Sequence, residues 1–370
     1  MQNHHGRFVL VACLAAAVTA QAPTLDNSKF REVGSGATKE QGVPDRGVPQ
    51  DASGRTIGDY TPRYGGTYQE QNPDKYTLRH LFMEAHGDFM NRRERYDAPI
   101  ELRAKVMPNQ RVNHEPGTFD MLGYDFDADL PVLVAPDGFL KFGAYYQGRS
   151  YGFSNAFGSQ GNAPGSLGDE VLHAAGIKLG FGTFLDPNWL FEMETAPGVW
   201  SDWDGGLHHE DFDFPSYALF TVRTMETFFL KFGVRYNQIY EEAPWLPYLG
   251  FAWEITEGFR CDVLAPEKFE LSFWPSSSTG ILAGCEVTGA EYEVRTSLAA
   301  GDQRDSLQVQ EVIAYLGLIH RFGESFSFRG RAGAIVAGDY DLANGAASFN
   351  HVEGALDQGF YADVSFGFDF

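Results

Sequence analysis

The feature that most constrains this chain is a two-residue period of apolar side chains, starting near residue 98 and running to the last residue. In QGFYADVSFGFDF, residues 358–370, Phe360, Ala362, Val364, Phe366, Phe368 and Phe370 alternate with Asp363, Ser365, Gly367 and Asp369. The same pattern sets Ile100, Leu102, Ala104 and Val106 against Glu101, Arg103 and Lys105, and Phe228, Leu230, Phe232 and Val234 against Lys231, Gly233 and Arg235. Strand side chains point alternately to opposite faces, so each segment carries one apolar and one polar face. The 31 Phe, 17 Tyr and 42 Gly agree with strands joined by tight turns.

A soluble sandwich alternates in the same way, so three further features decide the class. Many segments run about nine to eleven residues, the length a tilted strand needs to cross a bilayer. Connections alternate between long (SYGFSNAFGSQGNAPGSLGD, SDWDGGLHHEDFDFPS, AAGDQRDS) and short (APDG, DPN, TMET, TEG, FGES). Outer-membrane barrels pair external loops with periplasmic turns in this fashion. The polar faces are charged on nearly every strand, which suits a wet or ion-paired interior. The expectation is an all-β fold, an antiparallel transmembrane β-barrel of about 12–14 strands over residues 98–370, in the outer membrane of a Gram-negative-type bacterium.

The N-terminus, MQNHHGRFVLVACLAAAVTAQAP, has the build of a secretory signal over residues 1–22, with Arg7 ahead of an apolar core and cleavage after Ala20 or Ala22. Leu10-Val11-Ala12-Cys13 fits a lipoprotein box, but the apolar run continues past Cys13. Residues 23–75 are rich in Gly, Pro, Gln and charge and read as a disordered linker. Within 76–97, Leu78, Leu81, Phe82, Ala85 and Phe89 share one face of a short amphipathic helix. It lies on the periplasmic side or plugs the barrel mouth. Cys261 and Cys285 are expected to stay unbridged, because another strand separates them.

The final strand resembles the C-terminal assembly signal of outer-membrane proteins, carried by Ala362, Val364, Phe366, Phe368 and Phe370. That resemblance implies recognition by the barrel assembly machinery. The region 98–370 also resembles a family of bacterial outer-membrane β-barrel proteins of unknown function. The motifs that carry it are APGVWSDWDG (196–205), WLPYLGFAWEITEGFRCDVLAPEKFELSFWP (245–275) and GAEYEVR (289–295). The chain departs from the pattern at LAPEKF, 264–269, where a more basic strand is expected. The resemblance implies architecture and brings no substrate.

Strand parity places Lys141, Lys178, Glu192, Glu194, Lys231, Arg235, Glu291, Glu293, Arg295, Arg329, Arg331 and Asp363 on the lumenal face. Charges there either ring a narrow passage for ions or small polar solutes, or pair across a filled interior. The formal net charge of −22 argues for cation preference and against nucleic-acid binding, since phosphate contacts need a basic face. A closed barrel acting through its long external loops is the competing reading. His208, His209, Glu210, Asp211 and Asp213 cluster in one loop without the spacing of a metal motif. Trp200, Trp203 and Tyr217 are expected in an interfacial aromatic girdle. Ser154, Ser201, His173, His208 and His320 could serve a hydrolase, but no G-x-S-x-G elbow or other local signature joins any pair. The expectation is therefore a non-enzyme without cofactor or metal, whose partners are membrane lipid, the assembly machinery and small solutes.

Overall fold

The computed structural model describes Phe82 and residues 98–111, 118–135, 137–154, 170–203, 206–237, 244–298, 301–323, 325–344, 352–356 and 358–368. The signal segment, the linker and, except for Phe82, the 76–97 helix lie outside the described residues, as does Phe370.

The strands are β1 (Ile100–Arg111), β2 (Thr118–Ala135), β3 (Gly138–Ser154), β4 (Glu170–Asp186), β5 (Trp189–Thr195), β6 (Gly198–Ser201), β7 (Phe212–Asp213), β8 (Ser216–Met225) and β9 (Phe228–Tyr236). They continue through β10 (Trp245–Thr256), β11 (Phe259–Ala265), β12 (Lys268–Phe273), β13 (Thr279–Leu298), β14 (Gly301–Phe322), β15 (Phe326–Asn344), β16 (Val352–Ala355) and β17 (Gly359–Phe368). Three pairs are halves of one stave. Pro197 interrupts β5 and β6, Pro215 interrupts β7 and β8, and β16 and β17 both pair with β15. The result is a closed antiparallel barrel of 14 staves, each hydrogen-bonded to its sequence neighbours. Closure comes from β1 against β17, with Leu102 opposite Phe366 and Ala104 opposite Val364. Ring closure leaves no open edge, the condition for a sheet to sit in lipid.

The turns at one end are tight. Gly258, between β10 and β11, has φ of +78°, a backbone that side-chain-bearing residues rarely adopt. At the other end β13, β14 and β15 are long, at 20, 22 and 19 residues, about twice what a bilayer crossing requires. AAGDQRDS, expected as a long external loop, is mostly strand, because Leu298 pairs directly with Gly301. Alternating pairing simply continues past the membrane.

The register sorts the faces. Leu102, Phe142, Ile177, Leu179, Leu230, Leu249, Ile281, Leu318, Val364 and Phe366 point outward and are exposed. Cross-strand aromatic pairs knit this outer surface, with Phe220 stacked on Phe232 at 5.5 Å and Phe326 on Phe366 at 5.9 Å between centroids. Among the described residues no helix is long and apolar enough to cross a membrane. An apolar outer belt on a closed sheet with a charged interior defines a transmembrane barrel of the outer-membrane type.

The interior is divided. Over the long strands, Met107, Phe119, Tyr151, Leu172, Tyr292, Leu307, Val309, Ile313 and Tyr340 form one buried apolar cluster. It pulls opposite walls together: the Asp202 N–H donates to the Glu293 carbonyl at 3.1 Å, and Ser201 of β6 bridges to Glu293 of β13. In the ring β4 and β13 lie on opposite sides, so this contact spans the barrel.

Candidate functional site

The candidate site is the charged inner wall below that cluster. On β2 the inward positions repeat as Asp125, Asp127 and Asp129, and each meets a cation from β3 or β4. Arg149 donates to Asp125, Lys178 to Asp127, and Lys141 to Asp129 at 3.0 Å. Strand alternation explains the spacing, since inward side chains recur every second residue along a strand. A second group lines β9 to β12. Arg260 reaches Asp262 at 2.6 Å, Lys231 approaches the same carboxylate at 3.8 Å, Lys268 meets Glu270 at 3.2 Å, and Arg235 pairs with Glu267.

A third group is the most buried. Arg331 on β15 donates from Nε to Asp363 Oδ1 at 3.1 Å and from Nη1 to Glu286 Oε2 at 2.7 Å, with its guanidinium 4.6 Å from the centre of the Tyr315 ring. Tyr361 also donates to Asp363. The Asp363 carboxylate thus takes donors from two side chains, Arg331 and Tyr361, and losing Arg331 would leave a buried charge uncompensated.

Of the residues that parity assigns to the lumen, Lys141, Lys178, Glu192, Glu194, Lys231, Arg235, Arg329, Arg331 and Asp363 occupy inward register positions, on the same faces as the ion pairs above. Glu291 and Glu293 do not. Tyr292 and Val294, 2% and 1% exposed, hold the inward positions of β13, so the two glutamates point outward, and Glu291 accepts a hydrogen bond from Ser306 at 2.7 Å. Arg295 pairs with Arg304 at the same parity as these glutamates, and its side chain lies outside the described ones. The physical reason is that beyond Val287 the inward positions of β13 are taken by Ala290, Tyr292 and Val294 of the buried apolar cluster. There the apolar face meets the buried cluster and the acidic face points away from it.

Trp200 and Tyr217 also depart from the girdle expectation. Trp200 packs inside against Tyr145 at 5.6 Å, and Tyr217 is the register partner of the inward Glu194. Trp203, 45% exposed, stacks on His173 at 4.5 Å. Asp129, Asp262, Glu267 and Glu286 complete ion pairs that the sequence list lacks. So does Glu101, bound by Arg103 at 2.7 Å, although the β1 alternation already marks both.

In the His-rich loop, His209 to Asp211 form a single 3-10 turn, and His209 is almost wholly exposed. Among the described residues no group of three His, Cys, Asp or Glu is arranged to hold a metal ion. Cys261 and Cys285 are unbridged. Ser201 and His173 are register partners, but Tyr146 Oη occupies His173 Nδ1 at 2.7 Å and Ser201 donates to Asp202 at 3.5 Å.

Among solved structures, the chain is similar to the COG4313 outer membrane channel from Pseudomonas putida F1, at 9% identity over 73% of this chain and 94% of that one, with a TM-score of 0.41. It is similar to the TodX deltaS2S3 mutant monoaromatic hydrocarbon channel at 10% identity over 73% and 90%, with a TM-score of 0.36. The translocator domain of the autotransporter NalP from Neisseria meningitidis matches at 14% identity over 77% and 96%, with a TM-score of 0.30. No curated protein matches. Residues 115–368 match the family described as Domain of unknown function (DUF6268), and the chain belongs to that family.

Proposed function

We propose that this protein is a narrow passive channel for ions or small polar solutes, with a preference for cations. The observation that carries the reading is the inner wall of ion pairs on β2–β4 and β9–β12, a polar lining that water and small solutes tolerate. Because most of these charges cancel in pairs, the wall is polar without a strong net field. Glu194 is an acid of this wall that Lys141 and Lys178 oppose only at longer range. It faces inward with no hydrogen bond or ion pair among the described residues, and its carboxylate lies 3.7 Å from where a side chain at Gly180 would begin. Acids at the long-connection end, including Asp202, Glu210 and Asp213, add negative potential that concentrates cations near the mouth.

A second reading is favoured by the apolar cluster that joins opposite walls. In this reading the barrel is sealed at that level and works through its external connections. The two readings separate in a planar bilayer holding the refolded mature protein under a salt gradient. Discrete current steps with a reversal potential toward the cation side support the channel. Silence from protein confirmed as inserted supports the sealed barrel.

A further inference from the structure

Just beneath the apolar cluster, between β1–β3 and β13, β14 and β17, lies a cavity of about 120 Å3. A single water needs only about 10–15 Å3 of such space. Lys105 of β1 lines the cavity and is 8% exposed. Among the described residues its ammonium has neither a hydrogen bond nor an ion pair. A buried cation without a direct contact is unfavourable, and the chain offers Lys105 only the longer-range attraction of Glu311 and Asp125.

The neighbouring carboxylates explain why Lys105 is left over. Its register partner across the closing seam is Asp363, which Arg331 and Tyr361 already hold. Asp125 is taken by Arg149, and Glu286 by Arg331. Glu311, on a different wall of the cavity and 2% exposed, accepts the Tyr340 hydroxyl at 3.1 Å, and among the described residues no cation reaches it directly, Lys105 and Arg149 acting on it at longer range. Gly123 keeps a lane open for the lysine stem, because a Cβ there would sit 2.6 Å from Lys105 Cγ. The cavity therefore presents an ammonium on one wall and a carboxylate on another, which attract each other across it without a direct salt bridge. Ala290, Val309 and Ile313 complete the lining, although the accessible wall is almost entirely polar.

We propose that this cavity binds a small zwitterion of the α-amino-acid class. Its carboxylate meets Lys105 and its ammonium faces Glu311, and the small, polar-walled space admits only a short side chain. A net-neutral ligand with both charges satisfies both walls, whereas a simple anion or cation leaves one unmet. The site goes beyond the channel reading, since occupancy is an equilibrium property that needs no current.

The test is saturation-transfer NMR on the full mature protein refolded in detergent, with L-alanine as probe and acetate and methylamine as competitors. The expected result is saturable alanine binding that neither competitor displaces at equal concentration. Lys105→Gln should weaken binding about tenfold or more, the scale of one charge-assisted contact, while Glu226→Gln, in the exposed turn between β8 and β9, leaves it unchanged. Absence of saturable alanine binding to folded protein would overturn the proposal. So would displacement by acetate as effective as by alanine itself, a comparison made on the wild-type chain whether or not Lys105→Gln folds.

Discussion

Arg331 illustrates what a single residue does in this interior. Its side chain is 3% exposed, Asp363 is wholly covered, and Tyr361 and Glu286 complete the contacts. The attraction offsets a desolvation cost of several kcal/mol per ion, so the net gain from the pair is small while the cost of halving it is large. Arg331→Met should destabilise the barrel by about 3–5 kcal/mol, measured by urea unfolding in detergent. The double change Arg331→Met/Asp363→Leu should recover part of that loss, because no charge is then stranded. Gly123 makes the complementary point about space. Gly123→Ala places a methyl against the Lys105 stem and close to Arg149 Nη1 at 3.2 Å, so it should weaken alanine binding without preventing barrel formation, read by the same NMR titration.

At the scale of one element, β13 holds the clearest division between what sequence reveals and what it conceals. Its outward face runs Ile281, Ala283, Cys285, Val287, Gly289, Glu291 and Glu293 without a break in register. Ile281 meets lipid, being 49% exposed on the apolar belt, whereas Glu291 and Glu293 are half-buried on the same face. Ile281→Arg should therefore cost roughly 2–4 kcal/mol, the penalty for a cation on a barrel's lipid face. Glu293→Arg, on the same face of the same strand, should cost little, as unfolding in lipid vesicles would report. The alternation of β1, β3, β9 and β17 was legible in the sequence because polarity and facing coincide inside the bilayer. The division between Lys141 and Phe142, or Asp363 and Val364, could be read directly. Past Val287 Tyr292 and Val294 turn inward to the buried apolar cluster, and polarity no longer reports facing. The strand pairings across Leu298 and Gly301 were equally hidden, since AAGDQRDS carries turn residues and the pairing is imposed by its neighbours. The closing seam was anticipated from the final strand, but the sharing of Asp363 among its partners is tertiary and has no local signature.

For the whole molecule, two opposing designs share one cylinder. Fourteen staves lie between the filled eight-stranded barrel and the open sixteen-stranded one, and the lower wall is lined with paired charge. The upper part is drawn together by aromatic and aliphatic packing, in which Phe119, Tyr151 and Tyr340 meet with centroids 4.8 to 6.4 Å apart. Phe82 adds to this picture at the level of the wall itself. It is 6% exposed, its ring lies 4.8 Å from Phe139, and Lys141 Nζ sits 5.5 Å from its centre. Both partners face inward on β3, so this side chain stands within the lumen. Any current must pass between such side chains, and Phe82→Ala should raise single-channel conductance in the bilayer assay.

The measurement that bears most directly on a charged, cation-preferring lumen is the reversal potential of two variants recorded side by side under the same salt gradient. Glu192→Gln/Glu194→Gln removes charge from the inner wall, and Glu291→Gln/Glu293→Gln removes as much from the outer face. A fall in cation preference with the first pair and none with the second is the predicted result. The opposite assignment, or equal effects from both pairs, would contradict the assignment of inner and outer faces and the channel built on it.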